Sequence, residues 1–160
     1  MFPAEILPMV KIVSSLCNYL FTLPLLFGFM LWYGVKISPA LVWLPFIMAA
    51  QLLFTMGLVY FLAALNVRFR DVQHVLANVM ILWFFLCPIT YPLSSIPERW
   101  RFTFSLNPMA VLAAGYQDIF IYAKTPSLLS IAWVMLAGGV ALILGVRQFE
   151  QWRETFAEEI

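Results

Sequence analysis

Apolar positions in this chain are arranged in long unbroken stretches rather than in the alternations of a half-buried sheet. Residues 12–35, 37–67 and 125–146 contain no Asp, Glu, Lys or Arg. A helix needs about 20 apolar residues to cross the hydrocarbon layer of a bilayer. The pattern therefore predicts spanning helices over 12–33, 40–65, 75–91 and 128–146, the third of them short for a full crossing. The polar interruptions fall at 66–74, at 92–126 and beyond 146. In the last of these, Val146, Phe149, Trp152, Phe156 and Ile160 recur at three- and four-residue spacings, with Arg147, Glu150, Arg153, Glu154 and Glu158 between them. That spacing predicts an amphipathic helix leaving the membrane.

The segment 88–109, PITYPLSSIPERWRFTFSLNPM, breaks the pattern. Each proline lacks a backbone N–H and pushes its predecessor towards extended conformations, so no continuous helix can run through it. Yet Phe102, Phe104, Leu106 and the run 109–115 make 92–126 too apolar for a solvated loop. Two readings of this pattern stand: a pair of short helices re-entering the bilayer, or a hairpin lying on the outer leaflet with Trp100 as an aromatic anchor. Irregular backbone at membrane depth is tolerated only where protein surrounds it or water lines it.

Composition agrees with an integral membrane protein. Of 160 residues, 64% are hydrophobic and 11% charged, with a mean hydropathy of +0.93. A net charge of +1, with scattered basic residues, argues against a nucleic-acid partner. Four crossings place both termini on one side. The rule that basic residues stay inside favours the cytoplasm for them, through Lys11, Arg68, Arg70, Arg147 and Arg153 against Lys36, Arg99, Arg101 and Lys124. The short loop holding Arg68 and Arg70 weighs most.

Candidate chemistry is sparse. Cys17 and Cys87 both fall in predicted spans without a CxxC, so a disulfide or zinc site is not expected. His74 with Asp71 three residues earlier could form an acid–base pair in an enzyme of lipid-linked sugars. No nucleophile elbow, HExxH or phosphate loop accompanies it, and an ion-paired loop is the plainer reading. Trp32, Tyr33 and Trp43 read as interfacial aromatics, whereas Trp83, Phe84 and Phe85 lie deeper and either pack or line a pathway. Gly138 and Gly139 read as a close helix contact.

Taken in order, FPAEILP before a span, the loop NVRFRDV, the proline-rich segment, Tyr116–Gln117 and the closing FAEEI resemble the membrane subunit of type-2 ABC exporters, in the branch that exports O-antigen, capsule and teichoic acid. The resemblance covers nearly the whole chain. It implies an all-α permease domain over 1–160, a homodimer around a central channel, and a lipid-linked glycan as substrate. A separate nucleotide-binding ATPase subunit would hold ATP and Mg, with no cofactor or catalytic residue in this chain. The location implied is the bacterial cytoplasmic (inner) membrane. Phe2, Pro3, Glu5 and Pro8 would form the ATPase coupling segment, and Arg68, Arg70 and Asp71 the second cytoplasmic contact. Pro88, Tyr91, Pro92, Pro97, Asn107 and Pro108 would belong to outer gate helices, which selects the re-entrant reading. Family members carry six spanning helices and an interfacial N-terminal helix, and this chain corresponds to the last three-fifths of such a permease. Export of a drug or lipid by the same architecture, and a non-transporting assembly role, are the alternatives.

Overall fold

The computed structural model describes residues 6–35, 37–69 and 72–158, with side chains described for 9–35, 37–66, 69 and 72–148. Among these residues the chain is helical throughout: α1 (Ile6–Trp32), α2 (Leu44–Arg68), α3 (Val72–Leu86), α4 (Glu98–Leu106), α5 (Pro108–Phe120) and α6 (Leu128–Glu158), with short 3₁₀ turns at Pro39–Trp43 and Leu93–Ser95. Two compact units divide it, Met1–Ser38 and Pro39–Ile160.

The first unit consists of α1 and its cap. The helix starts at Ile6, earlier than expected, because Pro8 falls in its first turn, where a missing N–H costs nothing. It ends where Gly34 adopts φ +69°; the Gly34 N–H donates to Leu31 O at 3.1 Å and the Val35 N–H to Met30 O at 2.8 Å. These two bonds form a Schellman cap, which needs a residue without a Cβ at its left-handed position. The sequence LWYGV thus terminates the helix by itself.

In the second unit, α2 and α6 form a tight pair. A Cβ on Gly57 would lie 2.6 Å from the Leu142 nitrogen and 2.7 Å from Gly138 O. One on Gly138 would lie 2.7 Å from the Phe54 nitrogen, and one on Gly145 2.7 Å from the Phe61 nitrogen. The two backbones therefore touch, which only glycine permits here. The contacts run Phe54 to Gly138, Gly57 to Ala141–Leu142 and Phe61 to Gly145, so the two helices are parallel. Ala50 and Ala64 are fully buried on the same stripe of α2, seven residues either side of Gly57. In a bilayer, where lipid tails supply no hydrophobic drive between helices, such small-residue stripes allow close dispersion contact. Gly139 has open space around it and takes no part.

Helix α5 packs across the first halves of this pair. Leu112 and Ile119 of α5 share a core with Ile47, Ala50 and Phe54 of α2 and Val134 of α6. Gly115 admits the Ile47 side chain: its own Cβ would meet Ile47 Cδ1 at 2.8 Å. Gly115 therefore sits beside Ile47, near the start of α2. Met109 instead borders a cavity with Phe54 and Leu58, near the midpoint of the apolar stretch Pro39–Asn66. Helix α5 thus climbs from mid-depth towards the end where α2 and α6 begin.

Among the described residues, three helices are long and apolar enough to span a bilayer: Met9–Trp32, Pro39–Asn66 and Leu128–Gln148. The expected span 75–91 stops at Leu86. At 15 residues α3 is about 22 Å long, short of the ~30 Å hydrocarbon layer. The cause is Pro88: the chain turns at Cys87–Ile89, with Cys87 N donating to Phe84 O at 3.2 Å and Ile89 N to Cys87 O at 2.8 Å. At the other end of the unit, α6 continues without a break from its apolar part to Glu158. The amphipathic stripe beyond Val146 thus extends the last span rather than forming a separate helix; of its members, Ile160 lies outside the described residues.

Candidate functional site: the proline-broken hairpin

The segment between α3 and α6 is held by side chains that satisfy the backbone its prolines disrupt. Asn107 occupies the break between α4 and α5. Its Oδ1 accepts from the Met109 N–H at 3.1 Å, capping α5, and also from Trp83 Nε1–H of α3 at 3.1 Å. Its Nδ2 donates to Cys87 Sγ at 3.6 Å. Pro108 follows as the first residue of α5, where a proline suits a helix start. One amide therefore ties together the end of α3, the turn after it and the start of α5.

Gln117 makes a second tie. Its Nε2 donates to Pro88 O at 2.6 Å and to Tyr91 O at 3.1 Å. These carbonyls lie beyond the last turn of α3 and have no helical partner, so a side chain replaces the missing donors. Tyr91 returns a bond to α3, its hydroxyl donating to Phe85 O at 3.0 Å. In α5, the Tyr116 hydroxyl donates to Gln51 Oε1 of α2, while its ring stacks on Phe120. These amides are partly buried, where fewer waters compete as partners, so each bond here matters more than on a fully exposed surface.

The anticipated gate residues are therefore distributed unevenly. Pro88 is fully buried in the turn and Asn107 partly buried, whereas Pro92 and Pro97 are exposed at the starts of the 3₁₀ turn and of α4. Trp83 packs against the core and spends its N–H on Asn107. Phe84 and Phe85 are exposed, with their rings edge to face at 5.5 Å. Of the coupling residues, Phe2, Pro3, Glu5, Arg70 and Asp71 lie outside the described residues. Pro8 and Arg68 are described by backbone alone, in the first turn of α1 and at the end of α2. His74 is exposed at the start of α3, and its carbonyl accepts from Asn78 Nδ2 at 3.3 Å. Its anticipated partner Asp71 is not described. No cluster of metal-ligating side chains occurs among the described residues.

Sequence reasoning overlooked two features. Gln51, in the middle of an apolar run, was detectable because an amide at that depth needs a partner. A second feature is a cavity of about 170 Å³ between α2, α4, α5 and the start of α6, into which Arg101 and Asp118 face. Nothing in their spacing brings these two together; the fold does. Burial pushes the Asp118 carboxyl above the usual carboxylate range, and the Lys124 ammonium pulls it back.

Helix α3 joins the rest differently from the α2–α6 pair. Between α2 and α3 lies an apolar cavity of about 370 Å³, bordered by Phe54, Leu58, Met80 and Trp83. The polar ties of Asn107 and Gln117 therefore connect α3 to α5 beside an incompletely filled space.

Apolar spans, a close-packed helix pair and a proline-broken helical hairpin define a multi-pass helical membrane protein. The chain belongs to the ABC-2 type transporter family, whose model matches residues 1–121. It is 39% identical, over 99% of its length, to the O-antigen export system permease protein RfbA of Myxococcus xanthus, covering 62% of that protein. Two permeases of the same description from Klebsiella pneumoniae are 27% and 28% identical over 98% of this chain and 61% of theirs. The chain thus spans about three-fifths of the length of these curated relatives.

Proposed function

We propose that this chain forms part of a permease that exports a lipid-linked polysaccharide of the O-antigen class across the bacterial cytoplasmic membrane. The observation that carries this reading is the 39% identity to an O-antigen export permease across 99% of the chain. As in the family, ATP would be hydrolysed with Mg by a separate nucleotide-binding subunit, and two permease copies would enclose the pathway.

The geometry supports a gate in the broken hairpin. Because α2 and α6 are parallel, the chain between them must travel back across the same thickness. Helix α3 covers about 22 Å of that distance, and α5 rises from mid-depth beside Phe54 to the level of Ile47. This arrangement favours four crossings in all, with α4 and α5 as a re-entrant pair, over a hairpin lying on the leaflet. The α2–α6 pair is a frame with backbones in contact, whereas α3 borders open apolar space and is held by directional bonds. Closure of the ATPase subunits on the 2–8 segment and the 68–71 loop would then move α3 against this frame, and Asn107 and Gln117 would carry the movement into the hairpin. Such coupling requires the nucleotide-bound partner to favour one arrangement of α3 by a differential interaction energy.

The test is export in a strain whose own permease gene carries the substitution, followed by the ladder of surface O-antigen on gels. Glu5→Ala and Arg70→Ala should abolish the ladder while the permease still accumulates in the membrane and its ATPase still co-purifies at reduced yield. An unchanged ladder in both variants removes the coupling assignment. Failure of the deleted strain to lose surface glycan at all removes the exporter reading.

A further inference from the structure

We infer that the second unit carries a binding site for a zwitterionic phospholipid, with the headgroup in the Arg101–Asp118 cavity and an acyl chain along the outer face of α6. The cavity of about 170 Å³ is smaller than the ~300–1,000 Å³ usual for drug-sized ligands, so it suits a compact group. Its walls carry opposite charges. Arg101 of α4 donates through Nε to Ile96 O at 3.2 Å and makes a loose 3.5 Å pair with Glu98 through Nη1, which leaves Nη2 without an acceptor among the described residues. The Asp118 carboxylate of α5 is half-buried and accepts no hydrogen bond among the described residues. Ser105, Ser127 and Ser130 add hydroxyls to the same walls. A phosphate beside Arg101 and an ammonium beside Asp118 would add to the partners these charges already have in Glu98 and Lys124, whereas an anionic headgroup without an amine would bring like charge to the carboxylate.

The cavity does not end blindly. Ser105, Val111 and Ser130 also border a second, apolar crevice of about 430 Å³ that continues past Leu129, Trp133 and Leu136. These three side chains follow one face of α6 over about 10 Å, and all are exposed. The cavity that holds the two charges, otherwise lined largely by apolar side chains, and the groove thus meet where the apolar stretch Leu128–Gln148 begins, which is where a bilayer lipid has its own change from headgroup to chain. This continuity, with the paired charges, distinguishes a lipid from a free zwitterion or a free phosphate.

The test is native mass spectrometry of the full-length protein, delipidated in detergent and titrated with palmitoyl-oleoyl phosphatidylethanolamine or with the phosphatidylglycerol of the same chains. The expected result is one phosphatidylethanolamine retained per chain, about tenfold more tightly than phosphatidylglycerol, since a hydrogen bond to a charged group is worth about that factor. Asp118→Asn should remove the preference and Arg101→Gln should weaken both lipids, with glycerophosphoethanolamine, which has no chains, binding far less than the intact lipid. Equal retention of the two lipids by the unsubstituted protein overturns the inference. So does an unchanged preference in Asp118→Asn, or tighter retention of an undecaprenyl pyrophosphate probe that is indifferent to both substitutions. Should Asp118→Asn fail to fold, Arg101→Gln and the comparison of the two lipids still decide.

Discussion

Replacing Asn107 by alanine removes the residue on which three elements converge, and its cost can be worked from two bonds. Oδ1 caps α5 through the Met109 N–H and holds the Trp83 indole N–H, each at 3.1 Å. Loss of a side-chain cap costs about 1 kcal/mol. The partly buried indole N–H, stranded without an acceptor, adds about 1–2 kcal/mol, giving about 2–3 kcal/mol in all. Trp83→Phe removes the donor instead of stranding it, and Asn107 keeps its bond to Met109, so the lost bond itself costs only about 1 kcal/mol. In the double variant the stranded donor no longer exists. Its cost should therefore fall short of the sum of the single variants by about 1–2 kcal/mol, as expected for side chains in one network. The assay is equilibrium unfolding of the four proteins in one detergent. Additive costs, or an Asn107→Ala variant within about 0.5 kcal/mol of the unsubstituted protein, would refute the reading of Asn107 as the tie between α3 and α5.

Three further expectations test other parts of the structure. Gly57→Ala and Gly138→Ala should each destabilise by about 1–3 kcal/mol, because a Cβ at either position meets backbone under 3 Å; Gly139→Ala, in open space within α6, should instead stabilise by up to about 1 kcal/mol through the alanine's smaller unfolded-state freedom. Gln117→Leu should free the Pro88 and Tyr91 carbonyls, and amide exchange over 88–96 should rise at least tenfold while exchange in α2 and α6 stays constant; equal rises everywhere would point to general destabilisation instead. Ala123 adopts φ +53° in the turn after α5, a left-handed conformation that costs an alanine about 1–2 kcal/mol. Ala123→Gly should therefore stabilise the protein by up to about 1 kcal/mol in the same unfolding assay, after the glycine's greater unfolded-state freedom is deducted.

Much of this was legible without coordinates, for identifiable physical reasons. A bilayer demands uninterrupted apolar length, so residues 12–33, 40–65 and 128–146 announced themselves as helices, while the cap that Gly34 makes at the end of the first came from the structure. The prolines of 88–109 had to break the chain, because a missing N–H is a property of the residue itself. Asn107 before Pro108 was readable as a helix start on the same basis. What the tertiary structure alone decided was pairing. Nothing in the spacing of Gly57 and Gly138 announces that they face each other with α2 and α6 parallel, and Gly139, adjacent in sequence, takes no part because helix rotation turns it away. Gln51 needed a partner, but only the climb of α5 past α2 supplied Tyr116. Arg101 and Asp118, 17 residues apart on different helices, share a cavity only because the broken hairpin folds back on itself. Local backbone chemistry is written in neighbouring residues, whereas the approach of distant charges and glycines depends on how whole helices rotate and pack.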